Sequence, residues 1–271
     1  MTVNVNVSWG SVAGQALPGN ALGSSSTSLY GYYSYPSIKS MLTRTATTAA
    51  DRSAYASLPA SAPAGENNFV VTSAQAKALG IVSPTTGIDG SIGFGGATSN
   101  YSFSHTAPIA SGTFDFISVA EHELSEVMGR ISGLSSAAPG FATIEDLFRY
   151  SGTGVHSFDY NASSYFSIDN GATDLANFNH SSSGGDRADW LSTASTTDVA
   201  DAFTYPSTRG VLSSLDQTVL DVIGWGSTGT GSGGASVVST LKGTDSIDIP
   251  EPASLALLAT AALAAVVRRR R

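Results

Sequence analysis

The chain has 271 residues, of which 41% are hydrophobic and only 13% charged, and it contains no cysteine. That length suits one sizeable globular domain with chain left over for appendages, and the lack of cysteine excludes disulfides and thiolate zinc sites, so that any metal must be held by His and oxygen ligands. The formal charge is −8, and the body is more acidic still because four of the basic residues form the terminal run 268–271; this argues against nucleic acid as a partner and suits cation binding.

Val3, Val5 and Val7 alternate with polar residues, which predicts a half-buried strand ending at Trp9-Gly10. No basic n-region or apolar h-region precedes it. Residues 14–28 read as loop, 30–36 as a tyrosine-rich turn, and 37–58 as one helix with Ser37 as cap and Pro59 behind it. A strand over 68–71 leads into a helix capped by Thr72 or Ser73 and ended by Gly80. Residues 90–94 and 101–103 read as further strands.

The stretch Ala120-Glu121-His122-Glu123-Leu124-Ser125-Glu126-Val127-Met128-Gly129-Arg130 organises the rest. Ile117, Ala120, Leu124, Val127 and Ile131 recur at steps of three and four, which predicts an amphipathic helix capped by Asp115. His122 and Glu126 share the face opposite that stripe and can reach one ion, while Glu123 projects to their flank, where a general base would stand. Gly129, on the same face, leaves room for a close approach. The plainer alternative is a charged helix face that gives His122 a carboxylate partner.

Beyond this helix, 144–150 is apolar enough to lie against the core, and 165–169 reads as a strand running into an Asn170-Gly171 turn. Residues 184–190 form a glycine turn with two acids, and 212–223 an amphipathic helix capped by Ser213 or Ser214. Asp169, Asp174, Asp186 and Asp189 sit among Gly, Asn and Ser, as in weak calcium loops, but ordinary turn chemistry is the favoured reading. Residues 227–249 are a Gly/Ser/Thr-rich linker. After Pro250-Glu251-Pro252 come fifteen uncharged, mostly apolar residues, 253–267, and then the arginines. This reads as a short transmembrane segment whose arginines stay in the cytoplasm, with the body outside.

Pro-Glu-Pro, a short apolar helix and an arginine cluster resemble the PEP-CTERM sorting signal of Gram-negative bacteria. The resemblance implies recognition and removal by an exosortase during export. It also implies engagement of the inner membrane through 253–267 before processing, and an envelope or extracellular location afterwards. Proteins with this tail carry a signal peptide as well, so the expectation is a start assigned too late or a fragment.

Residues 3–226 resemble bacterial metalloproteases that combine this tail with an H-E-[LI]-S-E-V-M-G-R core. The resemblance rests on Thr113-Phe114-Asp115-Phe116 ahead of the helix, Asp146-Leu147-Phe148-Arg149-Tyr150-Ser151, Tyr165-Phe166-Ser167-Ile168-Asp169, Gly184-Gly185-Asp186 and Leu220-Asp221-Val222-Ile223-Gly224-Trp225. The core also resembles the metzincin string H-E-x-x-H-x-x-G-x-x-H, with Glu126 in place of the second His and Ser132 in place of the third ligand.

These resemblances imply an α+β, zincin-like domain over 1–226, with a mixed sheet and a central metal-binding helix, then the linker and the sorting segment 250–271. They imply a secreted zinc-dependent endopeptidase acting on peptide or protein substrates, with Glu123 as general base and His122, Glu126 and Asp146 as ligands. Glu145 is the rival to Asp146; His156 and His105 are the imidazole alternatives, and His180 is the least favoured. An extended substrate would add to a sheet edge beside the helix, with 90–94 the first segment to consider. The alternative is a non-catalytic surface or matrix protein on the same scaffold, with a structural metal ion, calcium being the candidate.

Overall fold

In the computed structural model the described residues are 1–226 apart from 84–86, 98, 105–106, 137–140, 181–183 and 194. The linker, the expected membrane segment 253–267 and His105 therefore lie outside them. Among the described residues, no helix is long and apolar enough to cross a membrane.

Among the described residues, three sheets of three or four strands, two two-stranded ribbons and five α-helices form a mixed α/β body. The first sheet has the order Val5–Trp9, Gly90–Phe94, Gly23–Thr27, with the first pair parallel and the second antiparallel. Gly90–Phe94 is thus the central strand, both of its edges taken, and cannot receive a substrate by strand addition as the sequence suggested. Gly23–Thr27, expected as loop, is an edge strand instead. Its sequence Gly-Ser-Ser-Ser-Thr carries little intrinsic β preference, so the strand owes its existence to its neighbours.

The second sheet runs Ala142–Thr143, Asn68–Thr72, Leu29–Ser34. Ser28 joins it to the first sheet: its N–H donates to the Asp89 carbonyl and its own carbonyl accepts from Ser73 N–H. The tyrosine-rich turn is in fact the strand Leu29–Ser34, whose alternate residues face water. The third sheet, wholly antiparallel, runs Val155–His156, Arg149–Gly152, Tyr165–Phe166, Ala176–Asn177. Asn170 and Gly171, both at positive φ, make the expected turn.

The long helix read over 37–58 is two helices, α1 (Tyr35–Thr45) and α2 (Ala49–Ser57). Ser34 rather than Ser37 caps the first, and a capping box between Thr48 and Asp51 starts the second, since those side chains satisfy the free N–H groups of a new helix. Helix α3 (Ser73–Ala78) begins at a Thr72–Gln75 capping box. Helix α4 (Phe116–Val127) is capped by Asp115, and α5 (Ser214–Leu220) by Ser213. The main core joins Ile38 and Leu42 of α1, Tyr55 of α2, Leu147, Phe148, Phe166, Phe178, Trp190 and Val222. A smaller one, Ile92, Phe94, Val119 and Val127, glues α4 to the first sheet.

Helix α4 is not one-sided as its periodicity suggests. Glu123, Ser125 and Glu126 are buried, while Ile117, Ala120 and Leu124 are only half-buried. The polar face is roofed by the edge strand Gly23–Thr27 and by the chain around Asp189 and Val199. Gly129 does not open a space either: at φ 104° it ends the helix, and a Cβ there would overlap the Gln75 amide.

Candidate metal centre

Helix α4 sets His122 and Glu126 one turn apart, with His122 Nε2 3.6 Å from Glu126 Oε1. Asp189 arrives from the opposite wall, its Oδ1 3.7 Å from the same Nε2. One ligand atom from each of the three lies within 4.8 Å of the others. The donors of a tetrahedral ion with bonds of about 2.0 Å sit roughly 3.3 Å apart, so a small inward movement would close the set.

Each member is held from behind. His122 Nδ1 stands 2.8 Å from the Val199 carbonyl, which only accepts, so Nδ1 carries a proton and Nε2 is the nitrogen turned to the carboxylates. Glu126 Oε2 accepts from Ser25 Oγ at 2.7 Å, and Thr27 Oγ1 donates to the Glu126 carbonyl at 3.2 Å. Asp189 Oδ1 accepts from Arg130 Nη1 at 3.4 Å. Its backbone is pinned on both sides, by Asn179 N–H on its carbonyl and by the pairing of Trp190 with Phe178 and Asp201. Fully buried Arg130 also lies over the Trp190 ring, 4.7 Å from its centroid.

Glu123 is buried beside the three, and among the described residues its Oε2 has no hydrogen-bond partner. Gly23 makes space for it: a Cβ there would run into Glu123 Oε1 and stand 2.8 Å from Val119 Cγ1. Gly23→Ala is therefore expected to displace the Glu123 carboxylate while leaving His122, Glu126 and Asp189 together. A crystal structure of the variant would check this, the carboxylate of Glu123 moving and the other three side chains staying in place.

The cluster is strongly coupled electrostatically. Burial pushes the His122 imidazolium down, but Asp189 and Glu126, with Glu123, outweigh it and hold the ring well above its ordinary range. Burial and then the Glu126 charge push Glu123 well up. Burial also opposes ionisation of Glu126, yet His122 and the Ser25 hydroxyl pull it below the usual carboxylate range. Asp189 is pushed up to about 7, mainly by burial and against the pull of His122. Such opposed shifts in one buried cluster are typical of functional sites.

Asp146, the expected third ligand, belongs elsewhere. It is fully buried, and its oxygens accept from Ser132 Oγ at 2.8 Å, Thr143 N at 2.9 Å, Thr143 Oγ1 at 3.1 Å and Arg149 Nε at 3.2 Å. With these partners it ties the Ala142–Thr143 strand to Ser132 and Arg149. Ser132, at the position of the metzincin third ligand, is thus an Asp146 donor. Glu145 is buried facing Arg130, and burial lifts it to about 8 despite that charge. His156 stacks on Tyr150, centroids 4.3 Å apart, and His180 Nδ1 stands 3.3 Å from the Phe178 carbonyl. Of the glycine-rich acids, Asp169 makes turn bonds to Ser167 and Thr173, as expected. Asp189 does not. An acid between Ala188 and Trp190 in a charge-poor chain was the signal that could have singled it out.

Residues 248–271 match the PEP-CTERM protein-sorting motif. Such motifs are recognised by exosortase-type processing enzymes and mark exported proteins processed at the C-terminus, which puts the chain at the cell envelope or outside the cell. No curated protein matches the chain, and no solved structure does.

Proposed function

We propose that the chain is an exported, zinc-dependent endopeptidase in which His122, Glu126 and Asp189 hold the ion and Glu123 is the general base. One observation carries this reading. An imidazole pinned through Nδ1 to Val199 turns Nε2 to two buried carboxylates, with a third carboxylate alongside whose Oε2 has no partner among the described residues. A neutral imidazole and two carboxylates balance a divalent cation, and one-His, two-acid donation needs no sulfur. When bound, the ion supplies Lewis acidity: it polarises a carbonyl oxygen and acidifies water.

The remaining work falls to the chain. Glu123 Oε2 accepts the proton of the attacking water, and the same oxygen returns it to the leaving amine. Ser25 and Arg130 keep Glu126 and Asp189 oriented, and the roof over α4 excludes bulk water. The edge strand Gly23–Thr27, directly above Glu123 and Glu126, takes the substrate-aligning role first considered for 90–94.

Casein hydrolysis by the purified chain should stop on removal of metal by a chelator and return when zinc is added. Proteolysis indifferent to chelation would remove the proposal. Acid should expel the ion, because it competes with protons on His122 Nε2 and on Asp189. With Asp189 at about 7 and His122 raised, both protons are present below neutrality, and binding must displace them. Zinc affinity should therefore rise with pH through 7, by up to about two decades per unit where both groups are protonated. Calorimetric titrations at three pH values would measure that slope, and a flat profile would exclude these two groups as ligands.

A further inference from the structure

At the N-terminal end of α4 four aromatic side chains meet in one face. Trp9 lies 5.7 Å from Tyr101, 6.3 Å from Phe103 and 6.4 Å from Phe116, centroid to centroid. Phe116 stands 4.9 Å from both Phe103 and Phe94. Yet Trp9 and Phe103 remain 60% and 62% exposed. Gly95, at φ 80°, lets the indole lie against its backbone, since a Cβ there would stand 2.6 Å from Trp9 Cζ2 and 2.9 Å from Nε1. Two large rings are thus held toward water in fixed positions. An apolar surface of this kind gains when covered and loses little side-chain freedom in the process.

The face is continuous with the metal centre. Phe116 and Glu123 are seven residues apart on α4, two turns along the same side, or about 10 Å. The Tyr101 hydroxyl donates to the carbonyl of Leu22, next to the Gly23 that covers Glu123. Val119 lies between the two regions and packs with Phe94.

Resting on the peptidase reading, we propose that this aromatic platform selects the substrate. It takes one bulky apolar or aromatic side chain of an extended polypeptide, on one side of the scissile bond only. An extended chain advances about 3.3 Å per residue, so the recognised side chain lies about three residues from the bond cut at Glu123. The whole chain carries a net charge of −8, so an acidic segment is not the platform's occupant.

The test uses the full chain loaded with zinc and labelled nonapeptides in which each position in turn carries Phe or Ser. Binding is read by fluorescence anisotropy on the Glu123→Gln variant, cleavage by mass spectrometry on the parent. Phe should bind about tenfold more tightly than Ser at one position, two to four residues from the cut. Trp9→Ala and Phe103→Ala should each erase that difference, and Trp9→Phe should keep part of it. Equal binding of Phe and Ser peptides at every position would overturn the platform, as would a preference that survives both substitutions. Trp9→Ala turning a dimer into a monomer in sedimentation would also overturn it, by assigning the face to a second copy. Position-dependent binding without cleavage would keep the platform and remove the peptidase. Cleavage without any preference would do the reverse, and neither binding nor cleavage would remove both.

Discussion

Glu123→Gln is expected to leave zinc content and thermal stability near those of the parent while lowering turnover by about 10²-fold or more. General bases contribute on the order of 10²–10⁴, and an amide cannot take a proton from water. The substitution is nearly isosteric, and it removes a buried carboxylate whose ionisation is opposed by burial and by Glu126, so the fold has no reason to suffer. Glu126→Ala should behave differently, losing metal and activity together along with the carboxylate that accepts from Ser25 Oγ. Zinc analysis beside casein hydrolysis separates the two patterns. Unimpaired hydrolysis by Glu123→Gln would remove Glu123 from the chemistry.

The second large effect distinguishes Asp189 from Asp146. Asp189→Ala should abolish stoichiometric zinc binding. Its fold should tolerate the loss less well than that of a surface variant, because Arg130 keeps its buried charge with one partner fewer. Asp146→Ala should cost stability first. It strips Arg149, Thr143 and Ser132 of a shared acceptor in a fully buried place, and breaking a buried ion pair from one side costs about 3–5 kcal/mol. Whatever fraction of Asp146→Ala remains folded at low temperature should still hold one zinc. Denaturant melts paired with metal analysis give both numbers, and zinc loss in folded Asp146→Ala would restore it as a ligand.

Helix α4 was legible from its sequence because its signals were local: an Asp115 cap, apolar steps of three and four, and His and Glu one turn apart. The strand–helix unit 68–80 was legible for the same reason, through its capping residues and Gly80. What failed depended on distance in the chain. Gly23–Thr27 has no strand signal of its own; its glycine answers to Glu123 and its serine to Glu126, a hundred residues on. Asp189 sits in a run of glycines and acids that resembles turns, and only the packing of Trp190 against Phe178 and Arg130 brings it to His122. Asp146 drew attention through a block of the resemblance, but a buried acid within three residues of an arginine had a local partner available in Arg149. The break between α1 and α2 was written in Thr48 and Asp51, a capping pair inside a run that otherwise reads as continuous helix.

Whether His122, Glu126 and Asp189 form one metal site is read most directly from an anomalous-difference map at the zinc edge, recorded on crystals of the zinc-loaded protein. One strong peak per chain is expected, bonded to His122 Nε2 and to the carboxylates of Glu126 and Asp189, with Asp146 still on Arg149. A zinc-loaded crystal with no peak between those three side chains, or with the peak on Asp146 or Glu145, would contradict it.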